Sequence, residues 1–322
     1  MIRVNDKISF HSEWSELTTT EFLKVIEIIA TMYSSPEDMA IVKLKIFGVL
    51  ANYKRSKKRY TTQQQDEINN NIAFLADQIR FPFKYFYKEP SYFEIDNDLR
   101  FKLRKYHPSE IYSHKLPSDL NPQLQLDLFW RSNPLPYFRF NGKVFTGPLI
   151  EITKQGILNT SITARQYATM VEVYNAFLQS KDVAFLYMLL ATLYTAGDFT
   201  NSNITSAETD LKNVHISIVF TAFYLTQNLL EFLTEVSPYK ILFNKGEGDV
   251  GKLSLGAEST IYNLAKAGYG TEEQIAKTTL INFLNMQVDH LQSFIANCRS
   301  NKMSDTDIST QYKIPFSVLE KL

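Results

Sequence analysis

Apolar side chains recur along most of this chain at intervals of three and four residues, interrupted by one long stretch punctuated with proline. The first dozen residues instead alternate: Ile2, Val4, Ile8 and Phe10 are apolar around an Asn5-Asp6 turn, which predicts a short β-hairpin. The run Ser15-Glu16-Leu17-Thr18-Thr19-Thr20-Glu21 then offers hydroxyl caps, and Phe22, Val25, Ile26, Ile29 and Met32 follow at helical spacing, so a helix is expected over 19–33. Ser35-Pro36-Glu37-Asp38 is a second start signal, with Pro36 suited to a first helical position and acids at the positive end of the dipole; that helix is expected to run to about Tyr53. After a polar segment, Lys54 to Asn71, spacing at Ile68, Ile72, Leu75, Ala76 and Ile79 predicts another helix, stopped by Phe81-Pro82.

Eight of the 11 prolines fall between Pro82 and Pro148. Each removes a backbone donor and fixes φ, so long helices are excluded there and short strands with turns are favoured. The clearest hairpin is Tyr137-Phe138-Arg139-Phe140, turn Asn141-Gly142, then Lys143-Val144-Phe145, closed by Gly147-Pro148. Beyond Thr160 helical spacing returns over about 163–179, 181–196, 207–236, 255–268 and 271–299. Gly197 is placed to end the second of these helices, and Gly268 and Gly270 are placed as cap and turn before the last. The segment 197–206, GDFTNSNITS, is expected to be a mobile loop. The pattern therefore predicts a mainly α (α+β) protein, bundle-like. Its parts would be an N-terminal hairpin with helices (1–80), a proline-rich segment with short β-hairpins (81–150) and a C-terminal helical domain (151–322).

Composition sharpens this in three ways. With 322 residues, 44% of them hydrophobic, the chain can bury a large core without disulfides or metals. Lysine plus arginine and aspartate plus glutamate number 34 each, so no whole-molecule field draws nucleic acid or an anionic membrane; a nucleic-acid role needs a local patch. One cysteine, Cys298, excludes an intrachain disulfide or a thiolate cage and points to a reducing, cytoplasmic compartment. The apolar tracts from Val183 to Ala196 and from Val214 to Leu230 contain polar residues and are expected to be buried helices rather than membrane spans. The 23 phenylalanines and 18 tyrosines, against 11 glycines, favour aromatic packing over a turn-rich nucleotide-binding fold.

Candidate chemistry is sparse. Gly246-Glu247-Gly248-Asp249-Val250-Gly251-Lys252 fits a phosphate-cradling G-x-x-x-x-G-K loop, with Gly246, Gly251 and Lys252 as cofactor-binding candidates, but Leu253 replaces the magnesium-binding hydroxyl. Gly256 also shortens the helix that should face the phosphate, so the plain reading is a glycine-rich linker. The basic cluster Lys54, Arg55, Lys57, Lys58 and Arg59, flanked by Tyr53 and Tyr60, is a candidate nucleic-acid contact, or a solvated helix end. His11, His107, His114, His215 and His290 show no metal-ligand or triad spacing, even with Glu110 between His107 and His114. Cys298 sits late in an amphipathic stretch, as a packing residue rather than a nucleophile. The stripe Tyr167, Val171, Tyr174, Phe177, Phe185, Leu189 and Leu193 has the spacing of a core face. No catalytic residue, metal site or cofactor is expected.

Three local patterns carry a family resemblance. They are the hairpin followed by Trp14-Ser15-Glu16-Leu17-Thr18-Thr19-Thr20-Glu21-Phe22-Leu23; the segment Phe140-Asn141-Gly142-Lys143-Val144-Phe145-Thr146-Gly147-Pro148 with the later Leu189-Leu190-Ala191-Thr192-Leu193-Tyr194; and the helix–glycine–helix run from Ile261 to Thr271. Together they resemble proteins of the tail or virion-morphogenesis modules of bacteriophages and prophages. The chain departs from that pattern at Thr195-Ala196, where an arginine is expected, and lacks a tryptophan at the C-terminal turn, so no functional residue is carried over. The resemblance implies a non-enzymatic structural or assembly protein, in the host cytoplasm or the virion. Its partners would be other virion or tail-assembly proteins or a second copy of itself, with neither a membrane nor nucleic acid expected. The alternatives are a nucleotide-binding protein using 246–252 and a nucleic-acid-binding module using 54–59.

Overall fold

The computed structural model describes residues 2–5, 8–11, 13–34, 38–52, 60–111, 114, 116–195, 199, 201–243, 257–312 and 314–322. It is mainly helical, with short two-stranded antiparallel sheets, and divides into two compact units, Met1–Phe129 and Trp130–Leu322. That boundary falls inside the proline-rich stretch.

In the first unit, the hairpin β1 (Ile2–Asn5) and β2 (Ile8–Phe10) precedes α1 (Thr19–Ser34). Thr18 and Glu21 set the start of α1 reciprocally: the Thr18 amide donates to the Glu21 carboxylate at 2.9 Å, and the Glu21 amide donates to the Thr18 hydroxyl at 3.3 Å. Phe22, Val25, Ile26 and Ile29 of α1 are buried, as are Val42, Ile46, Phe47 and Leu50 of α2 (Met39–Leu50), which packs against it. Asp38 caps α2, with its carboxylate accepting from the Ala40 amide at 2.7 Å, and the helix ends at Leu50 rather than near Tyr53. Pro36 lies outside the described residues. α3 (Thr62–Ala76) starts well before the apolar spacing at Ile68, because Thr61 and Gln64 form a capping box.

The strands β3 (Phe83–Phe86) and β4 (Gln123–Leu126) pair antiparallel, Phe83 opposite Leu126 and Phe86 opposite Gln123. Between them the proline-rich sequence still makes two short helices, α4 (Pro90–Glu94) and α5 (Asn97–Lys105), which the proline argument did not anticipate. Pro90 sits at the start of α4, where its missing donor is harmless, and Asp96 caps α5 by accepting from the Asp98 amide at 2.8 Å. This segment has its own small core: Tyr87 and Tyr92 stack with centroids 4.5 Å apart beside buried Ile95 and Leu103. The phenols find backbone acceptors, Tyr87 on Leu103 at 3.1 Å and Tyr92 on Arg100 at 3.3 Å, as buried hydroxyls must.

The second unit opens on two hairpins, β5 (Tyr137–Phe140) with β6 (Lys143–Thr146) and β7 (Ile150–Ile152) with β8 (Leu158–Thr160). Asn141 and Gly142 take positive φ of 48° and 75° between β5 and β6, the two-residue turn that Asn-Gly favours. The β7–β8 hairpin escapes sequence reading because three-residue strands have too few positions to show an alternation. A helical body follows: α6 (Ala164–Ser180), α7 (Ala184–Leu193), α8 (Asn201–Leu211) and α9 (Ile216–Glu231), with α7 packed on the other three through α6, α8 and α9.

Two helices expected to be continuous are broken. The stretch 207–236 is α8 and α9, separated where His215 caps α9 by accepting from the Ser217 amide; the continuation at Phe232–Val236 is a π-helical turn. The stretch 271–299 is α11 (Glu272–Lys277) and α12 (Leu280–Ser300), separated where the Thr279 hydroxyl accepts from the Asn282 amide. Residues 201–206 of the expected loop lie in α8, while Gly197 is outside the described residues. α10 (Ala257–Lys266) precedes Gly268 and Gly270, whose φ of 91° and 139° make the turn into α11; α13 (Asp305–Tyr312) and α14 (Phe316–Leu319) close the chain.

α9 is the centre of this unit: 13 of its 16 residues are buried. Its hydroxyls turn inward on its own backbone, Thr221 to Ser217 at 2.7 Å and Thr226 to Ala222 at 3.0 Å. The Asn228 side-chain amide accepts from the Trp130 backbone N–H at 3.2 Å and donates to the Trp130 backbone carbonyl at 2.8 Å. Residues 216–236 are long and apolar enough to cross a membrane, with mean hydropathy 1.4, yet 83% of that window is buried within the protein. A helix largely enclosed by protein uses that apolarity in packing.

Candidate functional site

The two motif candidates do not acquire a geometry. Gly246, Gly251 and Lys252, and the cluster Lys54, Arg55, Lys57, Lys58 and Arg59, lie outside the described residues; Tyr60, beside the cluster, is half-exposed. Four of the five histidines are dispersed by local roles, and His114 is exposed. His11 faces Glu21 at 3.3 Å, His107 and His215 contact Ser109 and Ser217 at the starts of helical turns, and His290 stands edge-on to Tyr269. Glu110, between His107 and His114, is held by the Arg80 guanidinium at 2.5 Å. Among the described residues no group of three histidine, cysteine or carboxylate side chains is arranged around a common point. Cys298 is buried against Ile295, Ile308 and Leu319, and most of the aromatic stripe is core: Tyr167, Val171, Phe177, Leu189 and Leu193 are buried, Tyr174 is stacked on Phe223, and Phe185 is half-buried.

One cleft, of about 570 Å³, opens in the second unit between α10, α12, the turn Pro238–Leu242 and the residues around Pro315. Leu264, Leu291 and Val318 contribute apolar walls; Asn263, Lys266 and His290 are exposed at its rim. Among the described residues no carboxylate lines it. The nearby Asp289 accepts a hydrogen bond from the Tyr269 hydroxyl at 2.5 Å, which pushes that phenol above its ordinary value.

Two exposed surfaces are more distinctive. On the β5–β6 hairpin the pleat sends Phe138 and Phe145 inward, stacked at 5.3 Å, and leaves Tyr137 and Val144 on the outer face, 59% and 47% exposed. Leu149 and Ile157, at the ends of β7 and β8, are exposed by 52% and 63%. The inner face is fixed by Tyr194, whose hydroxyl donates to the Leu135 carbonyl at 2.8 Å and whose ring lies 5.3 Å from Phe138. Gly147 lies under that ring: a Cβ there would fall 2.5 Å from Tyr194 Cε1. The glycine and the tyrosine noted in sequence 47 residues apart are thus packing partners.

In the first unit α5 buries Leu103 and half-buries Leu99, and turns Phe101, Lys102, Arg104 and Lys105 outward. The Lys105 ammonium stands 5.0 Å from the Phe101 ring centroid, and Phe101 is 62% exposed. The sequence pattern does not announce this face, because the flanking prolines exclude long helices and leave room only for a nine-residue one. Its signal, Asp96 as cap followed by Arg100-Phe101-Lys102-Leu103-Arg104-Lys105, fits between Pro90 and Pro108.

Comparison with family models, with curated proteins and with solved structures finds no match for this chain.

Proposed function

We propose that the protein is a non-enzymatic assembly or structural component that works through protein–protein contacts, of the kind found in bacteriophage and prophage virion or tail modules. The observation that carries this reading is the outer surface of the β-hairpins. Tyr137 and Val144 stand about half exposed on a hairpin packed from behind through Phe138, Phe145 and Tyr194, and Leu149 and Ile157, beside β7 and β8, are exposed as well. Exposed aromatic and aliphatic groups on a rigid frame are the usual anchors of an interface, because they bury area on binding with little loss of freedom. The module assignment rests on the sequence patterns around Trp14, Gly147 and Gly268.

The test is light scattering on the purified chain and co-expression with the products of neighbouring reading frames. A self-complex or a captured neighbour, lost in a Tyr137→Ser/Val144→Ser variant that keeps its circular dichroism, supports the reading. A strictly monomeric chain that captures no neighbour overturns it.

A further inference from the structure

The outward face of α5 combines charge and an aromatic ring in a way that packing does not require. At about 100° per residue, Arg104, Phe101, Lys105 and Lys102 follow one another around the helix at steps of roughly 40–60°. The two leucines, Leu99 and Leu103, occupy the opposite side. Lys102, Arg104 and Lys105 make no ion pair among the described residues, although Asp98 shares the outer arc at the start of the helix. Arg100 is turned aside, with its guanidinium donating to Asn97. Further rings lie close in sequence: Phe93 is 62% exposed, and Tyr106, under the Arg80 guanidinium at 5.2 Å, is 42% exposed. Three cations would complement the helix C-terminus by themselves; the exposed phenylalanine among them, met by the Lys105 ammonium at 5.0 Å, is not needed for that role.

We propose that this face binds single-stranded nucleic acid, with Lys102, Arg104 and Lys105 neutralising phosphates and Phe101 receiving an unstacked base. The charge complementarity specifies an anionic occupant. The ring decides between kinds of anion: a carboxylate-rich peptide satisfies the cations but has no flat face to lay on Phe101, whereas every base has one. A duplex keeps its bases stacked on one another and leaves the ring without a partner. This surface belongs to the first unit and is independent of the hairpin surface in the second.

Fluorescence anisotropy with a labelled oligothymidylate of about 20 nucleotides tests it on the full chain. Binding should weaken as salt rises, with log K falling against log salt at a slope of about −2 for three phosphate contacts. Phe101→Ala should weaken binding about tenfold with the slope unchanged, and Phe101→Trp should retain it. Lys102→Glu/Arg104→Glu should flatten the slope to less than half, while Lys154→Glu, an exposed lysine of the second unit, should change neither quantity. The altered side chains are exposed, so circular dichroism should stay as in the parent. Lack of salt-sensitive binding by the parent chain, equal affinity in Phe101→Ala, or competition by polyglutamate as effective as that by unlabelled oligonucleotide would each overturn the proposal.

Discussion

The tyrosine cluster between β3 and β4 and the core around α9 bury aromatic groups by opposite means. Around α9 the helix periodicity does the work: Phe220, Phe223 and Tyr224 come from successive turns of one helix, and Phe177 meets Phe223 at 5.3 Å from α6. Between β3 and β4 no element exceeds nine residues, and the rings come from a strand end and a one-turn helix, tied down by phenol-to-backbone hydrogen bonds. The first kind of core depends on volume and the second on a few polar contacts. They should therefore fail differently.

The largest effect is expected at Phe223, 1% exposed and in ring contact with Tyr174, Phe177, Phe220 and Tyr224. Phe223→Ala should cost about 3–5 kcal/mol by leaving a cavity that four rings cannot all close. Denaturant unfolding measures that loss, and a cost below about 1 kcal/mol would show that α9 is not the keystone of its unit. Leu103→Ala in the tyrosine cluster should cost about 2–4 kcal/mol. Hydrogen exchange should then show β3, β4 and α5 losing protection while α9 keeps its own. Uniform loss of protection across both regions would mean that the small core has no separate stability.

Gly147→Ala sharpens the comparison within the second unit. The added methyl would press on the Tyr194 ring and on the Asn133 amide, 2.8 Å away, and neither is free to yield: Tyr194 is fully buried with its hydroxyl on Leu135, and Asn133 donates to the Pro148 carbonyl. A cost of about 1–3 kcal/mol is expected from overpacking, read as a fall in Tm. A neutral substitution would show that the ring shifts without loss.

The difference between the two regions also explains what the sequence disclosed. The α9 tract from Val214 to Leu230 is legible as a buried helix because apolar residues fill every turn, and the stripe from Tyr167 to Leu193 because its spacing matches a helix face. The break before α9 is not, since a histidine at the cap gives a weaker signal than serine or aspartate, and the break at Thr278-Thr279 hides within a continuous apolar rhythm. The tyrosine cluster has no period at all: Tyr87, Tyr92 and Leu103 meet through turns, and only three-dimensional placement joins them. Of the candidate surfaces, the outer residues of β5–β6 follow from the Asn-Gly turn and strand alternation, which fix Tyr137 and Val144 outward once Phe138 and Phe145 are inward. The α5 face was written in its composition but masked by the proline-based exclusion of helices, which holds for long helices and not for nine residues.

The smallest effect tests the polar logic of the first region directly. Tyr87→Phe removes the hydroxyl that donates to Leu103 and leaves that carbonyl without it, at a cost of about 1 kcal/mol near neutral pH. Burial pushes the Tyr87 phenol above its ordinary value of 10.0, so the folded state holds the proton longer than the unfolded chain does. Above pH 10 the unfolded chain releases it and gains stability relative to the fold. The parent protein therefore loses stability as pH rises past 10, by about 1.4 kcal/mol per pH unit for this one group. The phenylalanine variant escapes that loss, so the two unfolding curves should converge and meet near pH 11. Parallel curves across the alkaline range would mean that Tyr87 ionises as easily in the folded protein as outside it, and that the stacked pair with Tyr92 is wetter than its burial indicates.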